Sequence, residues 1–419
     1  MKKPAKASQA QTSKRSSGQP FLSPEWQLLL FILVIGVIYC VLFTRVYTTP
    51  YSAIGKIYFT YASNVIHGQI PYLDFNMEYP PLALLFFVLP RLAASSLNIY
   101  TGFYKAEVFL AILVGLFLIY LIARRMGKAP WKMMLAYTLC ILAVGPIVAE
   151  QYDIFPAVLT LGSLYAFMAA KNKTAWALLA LGVLTKIYPL FLAPVYLAIA
   201  LRNRQYRAAG AGILVGLSIG IVLSLPFIIM NPDSIKALAE YHLQRGIQLE
   251  STYSSILLIG DKLGLDSVKL VFNFGSCNLD GKTPGTLARL SGYLCIIFLI
   301  AAYWFIYRNI KPGKSQSTRL GAYALLVLCV GLITGKVFSP QYLIWLVPLV
   351  PLIMHRGRYV MLGCFILIGA ISYYLFPHAY LDLYDLKILP VVGLFIRDLL
   401  LIVLTILSVV YLRRMKASE

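Results

Sequence analysis

Apolar runs of membrane-spanning length recur along most of the chain and are separated by short polar stretches. The first run, residues 26–46, has about 20 residues, which is the length that an α-helix needs to cross a bilayer. Further runs lie at 103–123, 131–149, 154–170, 174–185, 187–201, 209–230, 287–307, 319–333, 341–354, 358–376 and 391–412. The pattern predicts a polytopic membrane protein of about twelve transmembrane segments, with both termini in the cytoplasm.

Three segments depart from this pattern. Residues 174–185 and 341–354 are short for a full span, and we expect broken or partly buried helices there. Residues 81–97 are apolar too, but a span at this point would place the basic stretch 123–132 outside, against the positive-inside rule. Pro90 and Arg91 in the middle of 81–97 favour a helix that lies in the membrane interface.

The predicted threading divides the chain into a membrane domain and two tails. Residues 1–25, rich in Lys, Ser and Gln, are expected to form a disordered cytoplasmic tail. Residues 26–412 form the transmembrane domain, and 413–419 a second cytoplasmic tail. Two outer loops of the domain are long, 47–102 and 231–286, and long loops are commonly functional.

The composition excludes an ordinary soluble protein. The 419 residues are 60% hydrophobic and only 13% charged, whereas soluble domains are about 25% charged. The net charge of +21 at first suggests an anionic partner such as nucleic acid. However, 23 of the 37 basic residues and only two of the 16 acidic residues fall in the predicted cytoplasmic segments. The charge is therefore a topology signal, and we expect no nucleic-acid partner.

The sequence carries no pattern for a soluble cofactor. The predicted inner loops are short, and no Walker or Rossmann glycine pattern occurs in a suitable strand–helix setting. No CxxC pair or Cys/His cluster suggests a metal site. We therefore expect no metal, no cofactor and no soluble nucleotide donor.

Two carboxylates four residues apart mark the first outer loop. Asp74 and Glu78 lie in HGQIPYLDFNMEYPPLALL, with Tyr72 and Tyr79 beside them. A carboxylate at a membrane interface can act as a general base and deprotonate an attacking hydroxyl. The alternative is a solvated turn before a helix that begins at the Pro-Pro pair.

Charged residues also occur in or beside the apolar runs. Asp153 precedes a run and is either a helix cap or part of a cavity between spans. Lys186 and Lys336 lie in apolar stretches, where function and snorkelling to the interface are the competing interpretations. Either ammonium can hold a phosphate as a point charge. Arg397 and Asp398, near the last span, are expected to form a structural pair.

Polar groups are dense at residues 241–251, in the second outer loop. Arg245 can grip a phosphate through two parallel hydrogen bonds. Gln248 and Glu250 can bind sugar hydroxyls, although an amphipathic surface helix would have a similar charge content. His242 alone indicates little, because interfacial histidines are more often structural than catalytic.

Five strings in this order resemble glycosyltransferase family 87: HGQIPYLDFNMEYPPLALL, QYDIFPAVLTL, GVLTKIYPLFLAPVYL, YHLQRGIQLESTYSS and KVFSPQYLIWLVPL. The resemblance runs from the first span to beyond residue 350. The family belongs to the GT-C superfamily and includes polyprenol-phosphate-mannose-dependent mannosyltransferases. The resemblance implies an all-α GT-C fold with interfacial helices in the first outer loop, in a multi-pass protein of the bacterial plasma membrane.

The resemblance also implies an inverting sugar transfer at the outer face. The donor would be a polyprenol-phosphate sugar, carrying mannose or another hexose, and the acceptor a lipid or glycan. Asp74 or Glu78 would deprotonate the acceptor hydroxyl while lipid phosphate departs, and fixed cations would stabilise the charge growing on that phosphate. The residues expected to bind substrate are Tyr72, Tyr79, Asp153, Lys186, Tyr188, Arg245, Gln248, Glu250, Ser251, Lys336 and Gln341.

One position departs from the family's pattern. The family places its catalytic aspartate shortly before a tyrosine that resembles Tyr58, near Ile54 here, where YTTPYSAIGKIYF contains no acid. Either Asp74 or Glu78 has taken over as the base, or the chain is a non-catalytic carrier or flippase of lipid-linked sugars with the same fold. An ion-coupled solute transporter ranks last, because the sequence shows no clear internal repeat.

Overall fold

The computed structural model describes residues 22–43, 52–233, 240–241, 243–265, 267–313, 316–354 and 359–417. Most of the predicted N-terminal tail, the end of the C-terminal tail, and His242 lie outside the described residues.

α-Helices make up most of the described chain. They are α1 (Pro24–Ile38), α2 (Phe59–Ile66), α3 (Ala83–Leu92), α4 (Leu97–Arg125), α5 (Pro130–Val144), α6 (Ile147–Glu150), α7 (Ile154–Met168), α8 (Asn172–Thr185), α9 (Ala193–Arg202), α10 (Tyr206–Met230), α11 (Thr252–Lys262), α12 (Lys282–Asn309), α13 (Ser317–Thr334), α14 (Tyr359–Tyr373), α15 (Tyr380–Tyr384) and α16 (Ile388–Ala417). The π-helical turns are Tyr39–Phe43, Ile54–Tyr58 and Tyr374–His378, and the 3₁₀ turns are Tyr188–Leu192, Pro340–Trp345 and Val350–Ile353.

Seven of the described helical segments are long and apolar enough to cross a membrane: Pro24–Val41, Leu97–Arg125, Tyr206–Met230, Lys282–Asn309, Ser317–Thr334, Tyr359–His378 and Ile388–Met415. In the most apolar part of α10, no residue is buried within the protein. Leu214, Val222 and Ile229 of this helix are each about two-thirds exposed. Such a continuous apolar surface is stable against lipid chains and unstable against water, so the chain is a multi-pass membrane protein.

Shorter apolar helices complete the membrane domain. They are Ala83–Leu92, Pro130–Val144, Ile154–Met168 and the segment Tyr188–Arg202. With 10 residues, α3 extends only about 15 Å and is too short to cross a bilayer alone. The count of about twelve segments stays a prediction, because these helices are apolar but below the usual length of a span.

The segment 341–354, expected to be short or broken, forms two 3₁₀ turns instead of a helix. Pro340 begins the first turn, and Pro351 lies in the second. Proline has no N–H to donate and disfavours an α-helical residue before it, so repeated prolines break the helix. Both turns are largely buried among the surrounding helices.

The long helices pack around one extended apolar core. Its buried residues come from α4, α5, α7, α13, the 3₁₀ turns and α14, and from the facing side of α16. Close backbone contacts are possible where a glycine replaces a side chain. At Gly369 of α14, a Cβ would lie 2.8 Å from the carbonyl oxygen of Ala143 in α5, so any larger residue would separate these helices.

The described residues of the 231–286 loop form a small unit of their own. It contains α11 and a three-stranded antiparallel sheet of β1 (Ile247–Gln248), β2 (Lys269–Asn273) and β3 (Ser276–Asp280), in the order β1-β3-β2. Its apolar side chains pack on Leu375, Leu383, Val391 and Leu394, which belong to the membrane domain. The sheet and α11 are therefore fixed to the start of α16.

A buried ion pair within α16 is hydrogen-bonded to this unit. Arg397 Nε lies 2.8 Å from Asp398 Oδ1, and both side chains are almost fully buried. The guanidinium of Arg397 also donates to the backbone carbonyl of Glu250 and lies 4.2 Å from the ring centre of Phe338. The predicted structural pair is thus present, and it also holds the 231–286 loop.

Candidate active site

Loops that are far apart in sequence meet at one end of the bundle. This is the end at which Thr185, the last residue of α8, lies. Their contacts are Tyr58 Oη to Gln151 Oε1 (3.0 Å), Leu82 N to Leu184 O (2.9 Å), Lys186 Nζ to Asp153 Oδ1 (2.6 Å), Asn231 Nδ2 to Tyr72 O (2.7 Å) and Gln248 N to Lys336 O (2.9 Å). The convergence places almost all of the candidate residues in one region, called here the loop end of the bundle.

Lys186 and Asp153 form a deeply buried ion pair at the loop end. Lys186 follows the last turn of α8, where the backbone becomes extended. Its side chain is 15% exposed and that of Asp153 is fully buried. The indole Nε1 of Trp345 donates to the same Asp153 Oδ1 at 2.6 Å. Asp153 is therefore the counter-ion of Lys186, and its side chain does not cap α7.

Aromatic rings surround the Lys186 ammonium. Its Nζ lies 4.7 Å, 5.0 Å and 5.4 Å from the ring centres of Tyr152, Tyr342 and Trp345. Tyr188 is buried and stacks on Trp345 with ring centres 4.1 Å apart. Ring faces carry negative potential, so the rings and Asp153 together compensate the charge of this buried ammonium.

Two further cations at the loop end have no acidic counter-ion. Arg245 Nη2 donates to Ser276 Oγ at 2.8 Å, and Lys336 Nζ donates to the Leu243 carbonyl at 2.7 Å. Within the part of the chain that the structure describes, neither side chain forms an ion pair. Burial and the nearby Arg245 guanidinium lower the pKa of Lys336 from its usual value. An anion bound between the two cations would relieve this repulsion.

The two candidate carboxylates have different surroundings. Asp74 is exposed, and its Oδ2 accepts a hydrogen bond from Ile70 N at 2.6 Å, which closes a local turn. Glu78 is half-buried, and its Oε2 accepts from Tyr241 Oη at 2.8 Å. The charges of Glu78 and Lys186 are close enough to interact. Only Glu78 therefore faces the cationic region, while Asp74 occupies the solvated turn that was the alternative interpretation.

The other expected binding residues line the walls of the loop end. Tyr79 lies against Tyr152 with ring centres 4.9 Å apart, while Tyr72 donates to the Tyr79 carbonyl. Gln248 donates to Ser339 Oγ at 2.8 Å. Gln341 is half-buried in the 3₁₀ turn Pro340–Trp345.

Glu250 and Ser251 lie deeper. Ser251 caps α11 by accepting from Ser254 N, and both Glu250 and Ser251 are at least 95% buried. Burial raises the pKa of Glu250, and the nearby Arg397 lowers it in part. The contacts of these two residues are structural, and their expected binding of sugar hydroxyls stays a prediction.

Tyr241, Tyr342 and Trp345 belong to the site, although sequence reasoning did not select them. Tyr342 lies within electrostatic range of Arg245, Asp153 and Glu78. Tyr342 and Trp345 occur in KVFSPQYLIWLVPL, and Tyr241 begins YHLQRGIQLESTYSS. Their positions beside charged residues in these strings were the available signal, but aromatic residues are too frequent in this chain for that signal to be selective.

The position expected for a family aspartate is apolar and buried. Ile54 begins a π-helical turn and is 1% exposed. Four residues later, Tyr58 is fully buried between Phe87 and Tyr152. This turn therefore offers no carboxylate to the site, and Glu78 is the carboxylate that the described residues present there beside Asp153.

Three cations, Lys186, Arg245 and Lys336, lie near the carboxylates of Asp153 and Glu78. Because Asp153 offsets the charge of Lys186, the charges of Arg245 and Lys336 remain to attract an anion. Among the described residues, no group of three or more His, Cys, Asp and Glu side chains is arranged to hold a metal ion.

A separate cavity of about 330 Å³ lies at the other end of α8. Its lining includes Asn172, Asn203, Gln205, Gly313 and Gln316. Because α8 has 14 residues, Asn172 and Lys186 lie roughly 20 Å apart. The cavity is thus distinct from the charged region at the loop end.

These features define a multi-pass membrane protein whose loops assemble a buried, cation-rich site with one half-buried carboxylate. The sequence profile of glycosyltransferase family 87 matches residues 77–340, more than half of the chain. The chain belongs to glycosyltransferase family 87 and is a membrane glycosyltransferase with the expected all-α, GT-C-like fold.

A solved structure shows the same fold. ArnT from Cupriavidus metallidurans in the apo state aligns with a TM-score of 0.50 and 12% sequence identity, over 93% of this chain and 76% of that chain. At this identity the likeness concerns the fold alone. No curated protein matches the chain.

Proposed function

We propose that the enzyme transfers a hexose such as mannose from a polyprenol-phosphate donor to a lipid or glycan acceptor. The observation that carries this proposal is the pair of cations without acidic partners, Arg245 and Lys336, beside the half-buried carboxylate of Glu78. Such a pair suits a lipid phosphate, and the carboxylate suits the acceptor hydroxyl. In this proposal the loop end of the bundle faces outward, and the transfer takes place at the outer face of a bacterial plasma membrane.

Glu78 is the general base in this proposal. It takes the proton of the acceptor hydroxyl, whose oxygen attacks the anomeric carbon from the side opposite the phosphate. The bond from that carbon to the phosphate oxygen breaks, and the configuration inverts. The phosphate leaves as a monoester with about one more negative charge at neutral pH. Arg245 and Lys336, already in place, stabilise this charge in a medium of low dielectric constant.

Lys186 has a different role from the other two cations. Asp153 and three aromatic rings compensate its charge, so it attracts a phosphate less than Arg245 and Lys336 do. It faces Glu78 across the site, and the opposite charges of the two side chains attract each other.

Purified protein with a radiolabelled polyprenol-phosphate mannose and membrane-lipid acceptors provides the test. Glu78→Gln is expected to lose at least 100-fold in kcat, because an amide cannot accept the proton. Asp74→Asn is the matched control and is expected to retain most of the activity, because Asp74 closes an exposed turn. Full activity in Glu78→Gln would contradict the base assignment. Movement of the labelled lipid across vesicles without sugar transfer would instead support a carrier or flippase.

A further inference from the structure

The hydroxyl of Tyr241 lies between two acceptors. It is 2.8 Å from Glu78 Oε2 and 2.7 Å from the backbone carbonyl of Phe274. A phenol has one proton and can donate to only one of these acceptors at a time. The hydrogen-bond pattern around Tyr241 must therefore depend on whether Glu78 carries a proton.

Both protonation states of Glu78 are satisfied at this position. When Glu78 is ionised, Tyr241 donates to the carboxylate. When Glu78 has accepted a proton, the carboxylic acid donates to the Tyr241 oxygen, and Tyr241 turns its own proton to Phe274. The acceptor hydroxyl loses one proton, Glu78 gains it, and Tyr241 keeps its own throughout.

Tyr241 stays a donor under working conditions. Burial and the adjacent Glu78 carboxylate raise the pKa of Tyr241 from its usual value, against an opposing effect of Arg245. The phenol is consequently neutral near pH 7 and does not compete with Glu78 for the substrate proton.

The turn between β2 and β3 is built around this hydroxyl. Phe274 and Gly275 are its two residues, and both have positive φ, +48° and +66°, as two-residue turns of type I′ require. The Phe274 ring packs edge-on against Tyr241 with ring centres 5.6 Å apart. A Cβ at position 275 would lie 3.3 Å from the Tyr241 hydroxyl, so glycine leaves the room that the hydroxyl needs.

The same ring contacts the phosphate-binding side of the site. Arg245 Cζ lies 5.9 Å from the ring centre of Tyr241, and Arg245 also donates to Ser276 at the start of β3. Tyr241 and the β2–β3 hairpin thus connect the carboxylate of Glu78 with the guanidinium of Arg245.

We propose that Tyr241 is a positioning residue that orients Glu78 before and after proton transfer, and that the β2–β3 hairpin sets the distance between this base and Arg245. The inference rests on the proposed role of Glu78 as the base. It adds a function for a hairpin whose outer strand, β2, is mostly exposed.

Other titratable groups also face Glu78. They come from the π-helical turn, α2, the loop before α3, the end of α8 and the 3₁₀ turn, and they are Tyr58, Tyr61, Tyr79, Lys186 and Tyr342. Among the described contacts, Tyr241 is the one that donates a hydrogen bond to the carboxylate side chain. Its removal should therefore affect the base specifically.

Tyr241→Phe in the full-length protein, assayed for sugar transfer, is the first test. We expect kcat to fall about tenfold or more with little change in the donor KM, because one charge-assisted hydrogen bond is lost and the ring stays in place. The acid limb of the kcat–pH profile should move to higher pH by about one unit, because the ionised carboxylate loses its donor. Tyr253→Phe is the matched control, since Tyr253 lies in the same loop unit and its hydroxyl donates to the carbonyl of Thr334, at the end of α13.

Gly275→Ala is the second test and leaves Tyr241 unchanged. The added Cβ should displace the hydroxyl and reduce kcat several-fold, with the same shift of the acid limb. Gly264→Ala is its control, because Gly264 also has positive φ (+72°) but no atom near its Cβ. Backbone strain is common to both variants, and displacement of Tyr241 is specific to Gly275→Ala.

The outcomes separate this inference from the proposed function. Loss of activity in Glu78→Gln with a wild-type kcat and pH profile in Tyr241→Phe would overturn the positioning role and leave the base assignment intact. Wild-type activity in Glu78→Gln would overturn both. A fall in kcat for Tyr241→Phe without a shift of the acid limb would show that Tyr241 has only a structural role, and would overturn the inference.

Discussion

At the residue scale, burial distinguishes the three cations of the site. Lys186 is paired with fully buried Asp153, and each charge compensates for the loss of water around the other. Removing one partner of a buried pair leaves an uncompensated charge, whereas removing both does not. Arg245 and Lys336 have no such partner, so their charges remain available to an anion.

The Lys186–Asp153 pair predicts a stability pattern. Lys186→Met should lower the free energy of unfolding by about 3–5 kcal/mol, because Asp153 would remain buried without a counter-ion. The double variant Lys186→Met, Asp153→Asn should recover most of this loss. Thermal unfolding of the detergent-purified variants measures both changes. Equal stability of the single and double variants would show that the pair is not coupled.

Lys336 predicts the pH dependence of donor binding. Burial and Arg245 lower the pKa of Lys336, so its positive charge is present at low pH and is lost on raising the pH through this lowered value. As the pH rises, the donor KM should therefore begin to increase at a lower pH than it would if Lys336 had the usual pKa of a lysine. Lys336→Arg should keep the KM low to higher pH, because a guanidinium stays charged. Parallel KM–pH profiles for the two proteins would exclude this role.

At the element scale, the 231–286 unit is attached to the membrane domain mainly through α16. Apolar residues of α11 and the sheet pack against the start of α16, and Arg397 binds the Glu250 carbonyl. The strand β1 also pairs with the loop that carries Lys336, through Gln248 N and Lys336 O. The unit therefore brings Tyr241 and Arg245 to the same place as Lys336.

Arg397→Met should release this attachment. Asp398 would lose its counter-ion, and we expect a loss of stability of about 3–5 kcal/mol with faster amide exchange in residues 243–262. Arg413→Met is the control. Arg413 belongs to α16, as Arg397 does, but it is exposed and lies near the ring of Phe305 in α12. Hydrogen exchange followed by mass spectrometry measures the amide exchange rates of both variants. Unchanged exchange in Arg397→Met would show that apolar packing alone holds the unit.

At the scale of the whole molecule, charge and site geometry make one topology prediction. The loops that form the site lie at one end of the bundle, and the cavity lined by Asn203 and Gln205 lies at the other end of α8. Basic residues are concentrated in the segments predicted to be cytoplasmic. The positive-inside rule thus predicts that the site lies on the outer side of the membrane.

Cysteine labelling tests this orientation. Leu265→Cys, in the 231–286 unit, is 79% exposed, and Gln205→Cys is exposed between α9 and α10. In intact cells a membrane-impermeant maleimide should label Leu265→Cys above the parent chain, and should label Gln205→Cys only after permeabilisation. The reverse pattern would place the site in the cytoplasm.

Local sequence properties determined the class of fold and several individual contacts. Apolar length and charge distribution predict a polytopic membrane protein because a bilayer imposes those lengths on any chain. The apolar run 341–354 is short for a span and predicts a broken or partly buried helix, and Arg397 beside Asp398 predicts a pair, because neighbouring residues determine both features.

Only the tertiary structure decided which charged residues work together. Asp74 and Glu78 are equivalent by sequence, and their difference arises because Glu78 meets Tyr241, more than 160 residues away, whereas Asp74 bonds to Ile70 nearby. Likewise, Lys186 and Lys336 both lie in apolar stretches of the sequence, and only the structure shows that Asp153 is the counter-ion of Lys186. The physical reason is that burial and distance govern electrostatic interactions, and both depend on how loops from separate helices meet.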